Sequence, residues 1–215
     1  MNLGITKRRA AQKSLPYDAE IEYLESFSGQ YIDTGVIINS GDYSFIVDGM
    51  ILDFNSSIAV VRWTPSPTYC SYGLYVGSRD AIVAYYGNYQ NLNYNNTIVF
   101  SNYKNKRKIY RFGENQKFTI EDLNGTINES IPVPFDNTLQ NNTYSLRLFS
   151  FFTQGNQTIS QSKVRLYSFI FLKGNKVIQD LIPVRKGNVG CMYDKISGQL
   201  FGNGGTGNFI LGPDK

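Results

Sequence analysis

The sequence predicts an all-β domain made of two antiparallel sheets packed face to face. Three observations carry that expectation. From Glu20 onward, short runs of β-branched and aromatic residues alternate with Gly, Asn, Asp and Pro, the punctuation of strands and turns. No window of helical length sustains the apolar period of about 3.6 residues that a helix needs. The composition also suits pleated surfaces, with 16 Tyr, 14 Phe and 20 Gly among 215 residues and only 18% charged. That length suffices for one domain with a two-layer core.

Residues 1–17 carry Lys7, Arg8, Arg9 and Lys13, no acidic group, and no strand pattern before Pro16. They read as an extended basic N-terminal arm, an anchor or a disordered tail, ahead of a sandwich domain over residues 18–215. Setting those four cations aside leaves 17 of the 21 against 17 anions, so the body is electrically balanced although the chain as a whole carries +4. Balance argues against nucleic-acid binding, which asks for a cationic excess on one face. The local cluster Lys104, Lys106, Arg107, Lys108 and Arg111 reads as solvated cations flanking a strand.

The clearest strands are expected at 43–52, 58–63, 73–77, 81–86, 108–112, 117–122, 144–152, 164–172 and 176–181, enough for two stacked sheets. In 164–172 one face shows Val164, Leu166, Ile170 and Leu172 and the other Tyr167, Phe169 and Phe171. Two apolar faces predict a central strand whose second face is covered by a loop, the arm or a partner. Lys173-Gly174-Asn175-Lys176 predicts the tight turn of a hairpin, because Gly and Asn tolerate positive φ. In the first strand, alternation predicts Ile21 and Tyr23 inward with Glu20 and Glu22 on the solvent face. No internal repeat is present.

No stretch has the length and apolarity of a membrane span, and no apolar run follows the basic N-terminus as in a signal peptide. The expectation is a protein made in the cytoplasm without Sec export and not bound to membranes. Cys70 and Cys191 lack a CxxC spacing or a disulfide-rich context and are expected as buried thiols.

Two segments carry a resemblance. Glu22-Tyr23-Leu24-Glu25-Ser26 followed by Gln30-Tyr31-Ile32-Asp33-Thr34-Gly35 resembles the opening of concanavalin A-like (laminin G-like) jelly-roll domains of gut bacteria and their phages. The closing segment of those domains has its counterpart in Asp180–Arg185, Gly190–Asp194, Gly198–Phe201 and Asn203–Phe209. The resemblance implies a two-sheet antiparallel jelly-roll sandwich. On that reading Gly35, Gly205 and Gly207 serve turns of positive φ, Tyr31, Tyr193 and Phe201 fill the space between sheets, and Asp33 and Asp194 tie loop amides.

With no histidine in the chain, Ser-His-Asp and Cys-His nucleophiles and histidine-ligated zinc are excluded. A retaining glycosidase needs two carboxyl groups about 5 Å apart. Glu20-Ile21-Glu22-Tyr23-Leu24-Glu25 imitates the Glu-x-Asp-x-x-Glu strand of laminarinase-like enzymes, but its middle acid is Glu and the string opens the domain. No catalytic residue is expected. Asp33, Asp53, Asp80 and Asp136 are scattered rather than spaced as calcium ligands, so neither a metal nor another cofactor is expected.

The binding candidates lie in Tyr85-Tyr86-Gly87-Asn88-Tyr89-Gln90-Asn91-Leu92-Asn93-Tyr94-Asn95-Asn96, where Tyr85, Tyr86, Tyr89 and Tyr94 offer faces to sugar rings and Asn88 offers an amide to hydroxyls. The same residue types also build ordinary protein interfaces. Trp63, beside Pro65 and Pro67, is a second candidate or a core residue at a strand end. Together these features lead to an expected function: a non-catalytic phage virion protein, a head fibre or capsid decoration, anchored to capsid or other virion proteins through Lys7, Arg8, Arg9 and Lys13. It would self-associate as a dimer or trimer and contact host-surface or mucosal glycans. A bacterial carbohydrate-binding module is the alternative, and a glycosidase the third.

Overall fold

The computed structural model describes residues 15–63, 70–88, 98–133, 142–153 and 162–215, with the backbone alone at 63, 88 and 151–153. Strand follows strand: β1 (Ala19–Glu20), β2 (Leu24–Ser26), β3 (Ile32–Ile37), β4 (Tyr43–Ile51), β5 (Ser56–Trp63), β6 (Cys70–Val76), β7 (Ala81–Asn88), β8 (Ile98–Val99) and β9 (Arg107–Phe112). The series continues with β10 (Lys117–Glu121), β11 (Ile127–Pro132), β12 (Ser145–Leu148), β13 (Phe151–Thr153), β14 (Val164–Lys173), β15 (Lys176–Lys186), β16 (Val189–Asp194), β17 (Leu200–Phe201) and β18 (Ile210–Leu211). Period-two burial is clearest in the longer strands of one-sided exposure. In β9 the buried Lys108, Tyr110 and Phe112 alternate with half-buried Arg107, Ile109 and Arg111. No helix among the described residues is long and apolar enough to cross a membrane.

The strands form two sheets. The larger runs β11-β10-β9-β4-β14-β15-β16-β17, with β1 on β15, β2 on β14 and β18 on β2. The smaller runs β3-β12-β5-β6-β7-β8, and β13 adds to β5 in parallel, the one parallel pairing among the described strands. Aromatic rings lock the two layers together. Tyr72 on β6 meets Phe112 on β9 at 4.9 Å and Phe45 on β4 at 5.9 Å, and Tyr86 on β7 meets Phe112 at 5.5 Å. Each ring fully buried in this way contributes about 1.5–3 kcal/mol over an exposed one.

Several expectations hold. The hairpin forms between β14 and β15, with Gly174 at φ 56° in its turn. β14 is central, flanked by β4 on one side and by β15 and β2 on the other. Cys70 and Cys191 are buried thiols.

Others are corrected. The register of β14 against β4 shifts between Leu166 and Ser168, so Tyr167 is an extra, bulged residue. The bulge resets the alternation and puts Val164 and Leu166 on the same buried face as Phe169 and Phe171, while Ile170 and Leu172 are half-buried on the other. A similar break at 21–23 sends Leu24 inward in place of Tyr23, because Ile21 bridges Asp214 and Gly212 donates to the Tyr23 carbonyl at 2.9 Å. The run 144–152 is broken at Phe149, whose φ of 63° is unfavourable for a bulky residue. Its ring is wholly buried against Phe209 at 5.0 Å, and that burial offsets the strain.

Candidate functional site

The opening and closing motifs, far apart in sequence, interlock. Gly204 donates to the Tyr31 carbonyl at 2.9 Å, Thr206 donates to the Gly29 carbonyl at 3.0 Å, and the Asn203 side-chain oxygen accepts from the Tyr31 amide at 3.1 Å. Gly35 and Gly207 have φ of 70°, as turns require, but Gly205 is needed for another reason. A Cβ on Gly205 would lie 1.9 Å from the Gly29 carbonyl oxygen. A Cβ on Gly204 would lie 2.5 Å from the Tyr31 ring, so these glycines form the bed on which that ring rests. Tyr31 therefore does not fill the space between the sheets. Tyr193 does not either: it is half-buried, edge-on to Tyr17 at 4.9 Å. Phe201 does pack against the core.

The motif thus presents Tyr31 and Asp33 at the outer face of the smaller sheet. Ile32, Leu146 and Leu148 face the core, so Asp33 on β3 and Ser145 and Arg147 on β12 face away from it. The Arg147 guanidinium stacks 4.3 Å over the Tyr31 ring and lies 3.6 Å from the Asp33 carboxylate. Asp33 also accepts from the Ser145 hydroxyl at 2.5 Å and from the Gly35 amide at 2.9 Å, the loop tie expected of it. A second group lies across the sheet on the same face. Arg62 donates to the Ser71 hydroxyl at 2.8 Å and sits 5.4 Å over the Tyr85 ring. Along the row Arg147–Val60–Gly73–Tyr85 the backbones of Arg147 and Tyr85 are three strand intervals, about 14 Å, apart, with Arg62 on β5 between them. Gly73, at φ 130°, keeps the floor flat, since a Cβ there would lie 1.8 Å from the Ala59 carbonyl oxygen.

Chemically, the face offers the Asp33 carboxylate, the Arg147 and Arg62 guanidinium groups, the Ser145 hydroxyl and the Tyr31 ring, while Ser71 and Tyr85 are buried beneath it. A carboxylate beside a guanidinium presents an acceptor and a donor to neighbouring hydroxyls of a sugar. Among the described residues no group of three or more His, Cys, Asp or Glu is placed to hold a metal ion.

The structure scatters the binding candidates named from the sequence. Tyr85 is on the outer face and buried beneath Arg62. Tyr86 is inside the sandwich, donating its hydroxyl to the carbonyls of Gly41 at 2.6 Å and Tyr43 at 3.2 Å, so its ring is not open to a ligand. Burial pushes its phenol up to about 12. Trp63 and Asn88 share a cross-strand row with Cys70, a core residue. Tyr89 and Tyr94, and the arm cations Lys7, Arg8, Arg9 and Lys13, lie outside the described residues. Tyr31, Asp33, Arg62, Ser71, Ser145 and Arg147 were missed as site residues. Their signal was period-two alternation beside known inward neighbours, which needs a strand register that the sequence does not carry.

The glutamates of the glycosidase-like string are each occupied. Glu20 accepts from the Tyr17 hydroxyl at 3.3 Å, Glu22 lies 3.9 Å from Arg107, and Glu25, buried, pairs with Arg165. On this outer face of the larger sheet Arg107 stacks 3.7 Å over Tyr167 and holds Asp48 at 2.7 Å, and Arg165 stacks 4.5 Å over Tyr23. Most of the basic cluster is likewise engaged: Lys104 pairs with Asp53 at 3.3 Å, Lys108 with Asp122, and Arg111 with Glu121 at 3.0 Å. These cations stitch strands together rather than standing free in solvent.

Comparison with family models, with curated proteins and with solved structures returns no match.

Proposed function

We propose that the chain is a non-catalytic structural protein of a phage virion, a head fibre or capsid decoration of the concanavalin A-like jelly-roll type, which touches glycans with the outer face of its smaller sheet. The observation that carries the binding part is the Asp33–Arg147–Tyr31 group, a donor and acceptor pair on a ring held by the interlocked motifs. The virion part rests on the resemblance of those same motifs and on the basic arm. Engagement of Glu22 and Glu25 by arginines favours binding over hydrolysis, because a glycosidase keeps one carboxyl as acid and another as nucleophile or base.

The test compares the full chain with a form starting at Leu15 for docking to purified capsids lacking this protein, and both for retention on gut-bacterial surface polysaccharide. The expected result is capsid docking by the full chain alone and retention of both forms without release of sugar. Retention of both with docking of neither would make the protein a bacterial carbohydrate-binding module. Release of reducing sugar would make it a glycosidase.

A further inference from the structure

At the margin of the larger sheet three side chains stand as the reactants of an amide exchange. Lys108 on β9 points with Tyr110 and Phe112 toward the core side and is 9% exposed. Its Nζ donates to Asp122 Oδ1 and, at 2.8 Å, to Asn128 Oδ1, while Asn128 Nδ2 donates to Asp122 Oδ2 at 3.1 Å. One carboxylate therefore touches both a nucleophile and the leaving group it would displace. The Tyr103 ring lies 5.7 Å from the ammonium and its hydroxyl donates to Glu129 at 2.9 Å, closing the group on the core side. Lys106 also acts on Asp122 through its charge.

We propose that Lys108 and Asn128 become joined by an isopeptide bond, formed without a cofactor and with Asp122 carrying the protons. Asp122 takes a proton from the ammonium, and the neutral Nζ attacks Asn128 Cγ. The Nζ–Cγ bond forms and the Cγ–Nδ2 bond breaks. Of the two protons that Nζ gives up, one makes the departing nitrogen ammonia and the other leaves with it as ammonium. Asp122 returns to its carboxylate, and nothing is oxidised or reduced. Placement of the partners within hydrogen-bond reach supplies the rate, as in other well-oriented intramolecular reactions. The resting state is the ion pair, since the hydrogen bonds from Lys108 and Asn128 hold Asp122 below the usual carboxylate range. The reaction is therefore slow at neutral pH and quickens as pH rises, because the attacking nitrogen must first lose a proton.

The bond would tie β11, the edge strand, to β9 across β10. An edge so clamped cannot peel away from its neighbour or pair with another chain as easily. This inference is independent of the proposed function.

The full chain is incubated near pH 7 and near pH 9 and followed by intact mass and tryptic mapping. The expected result is a mass lower by one ammonia, accumulating faster at the higher pH, together with a branched peptide joining Lys108 to Asn128. Asn128→Ala keeps the Lys108–Asp122 pair but has no electrophile, so it forms no branched peptide. Asp122→Ala slows the reaction at least about a hundredfold, the ordinary weight of a positioned acid–base group. Full mass at both pH values, or ammonia loss mapped elsewhere while trypsin still cuts after Lys108, would overturn the proposal.

Discussion

Among single residues, the buried hydroxyls make opposite predictions from similar positions. Tyr72 and Tyr110 have hydroxyl oxygens without a hydrogen-bond partner in the core, while Tyr86 makes two bonds to backbone carbonyls. Replacing an unsatisfied buried hydroxyl by hydrogen is neutral or stabilising, and removing a satisfied one leaves carbonyls bare. Tyr72→Phe and Tyr110→Phe are expected to leave the urea midpoint unchanged or raised, and Tyr86→Phe to lower stability by about 1 kcal/mol. Asp194, 1% exposed, gathers the amides of Asp180, Ile196 and Ser197 and the Ser197 hydroxyl. Burial would raise its carboxyl, but those donors outweigh burial and hold it below its ordinary value. Asp194→Ala should cost about 3 kcal/mol in the same titration. The amide-tying roles of Asp33 and Asp194 were legible through the motifs whose resemblance carries them, since Asp side chains in turns commonly accept from nearby amides. The burial of Tyr86 was not, since Tyr85 and Tyr86 differ only in which face of β7 they occupy.

Strands long enough to show several alternations, such as β4, β9 and β14, were legible from the sequence. What escaped were β3, β11 and β16, six residues each, short pieces such as β2 and β18, and the β12–β13 break at Phe149. Register is set by pairing partners, and a bulge of one residue at Tyr167 exchanges the two faces of everything beyond it. The C-terminal segment shows how much such short pieces contribute. It lays β18 against β2, pairs Asp214 with Arg185 at 2.6 Å, and buries Phe209 in the core. Removal of residues 209–215 should lower stability by more than about 4 kcal/mol, read from the urea midpoint, because losing a buried Phe alone costs about 3–5 kcal/mol. Gly73→Ala should be similarly damaging, since its Cβ would strike the Ala59 carbonyl.

For the molecule as a whole, acid should loosen a sandwich laced by cross-strand ion pairs. Asp53, held by Lys163, the Phe54 amide and Lys104, is lowered to about 2, and Asp122 and Asp194 are lowered too. A carboxyl lowered in the folded state stabilises above its unfolded value and loses that contribution as pH falls through the folded one. Thermal stability should therefore be flat between about pH 5 and about pH 9 and fall from about pH 4 toward about pH 2. The two-sheet architecture was readable because aromatic alternation and turn residues recur along the whole body. The proposed glycan face was not, because it is assembled from β3 and β12, more than a hundred residues apart, and from β5, β6 and β7. The most direct test of that face is calorimetric titration of gut-bacterial surface polysaccharide into the wild type, Asp33→Asn and Arg147→Gln. Measurable binding without sugar release, weakened at least about tenfold in each variant at unchanged melting temperature, is the result expected for a loss of about 1.4 kcal/mol. Binding that survives both substitutions undiminished would contradict a glycan site on the smaller sheet.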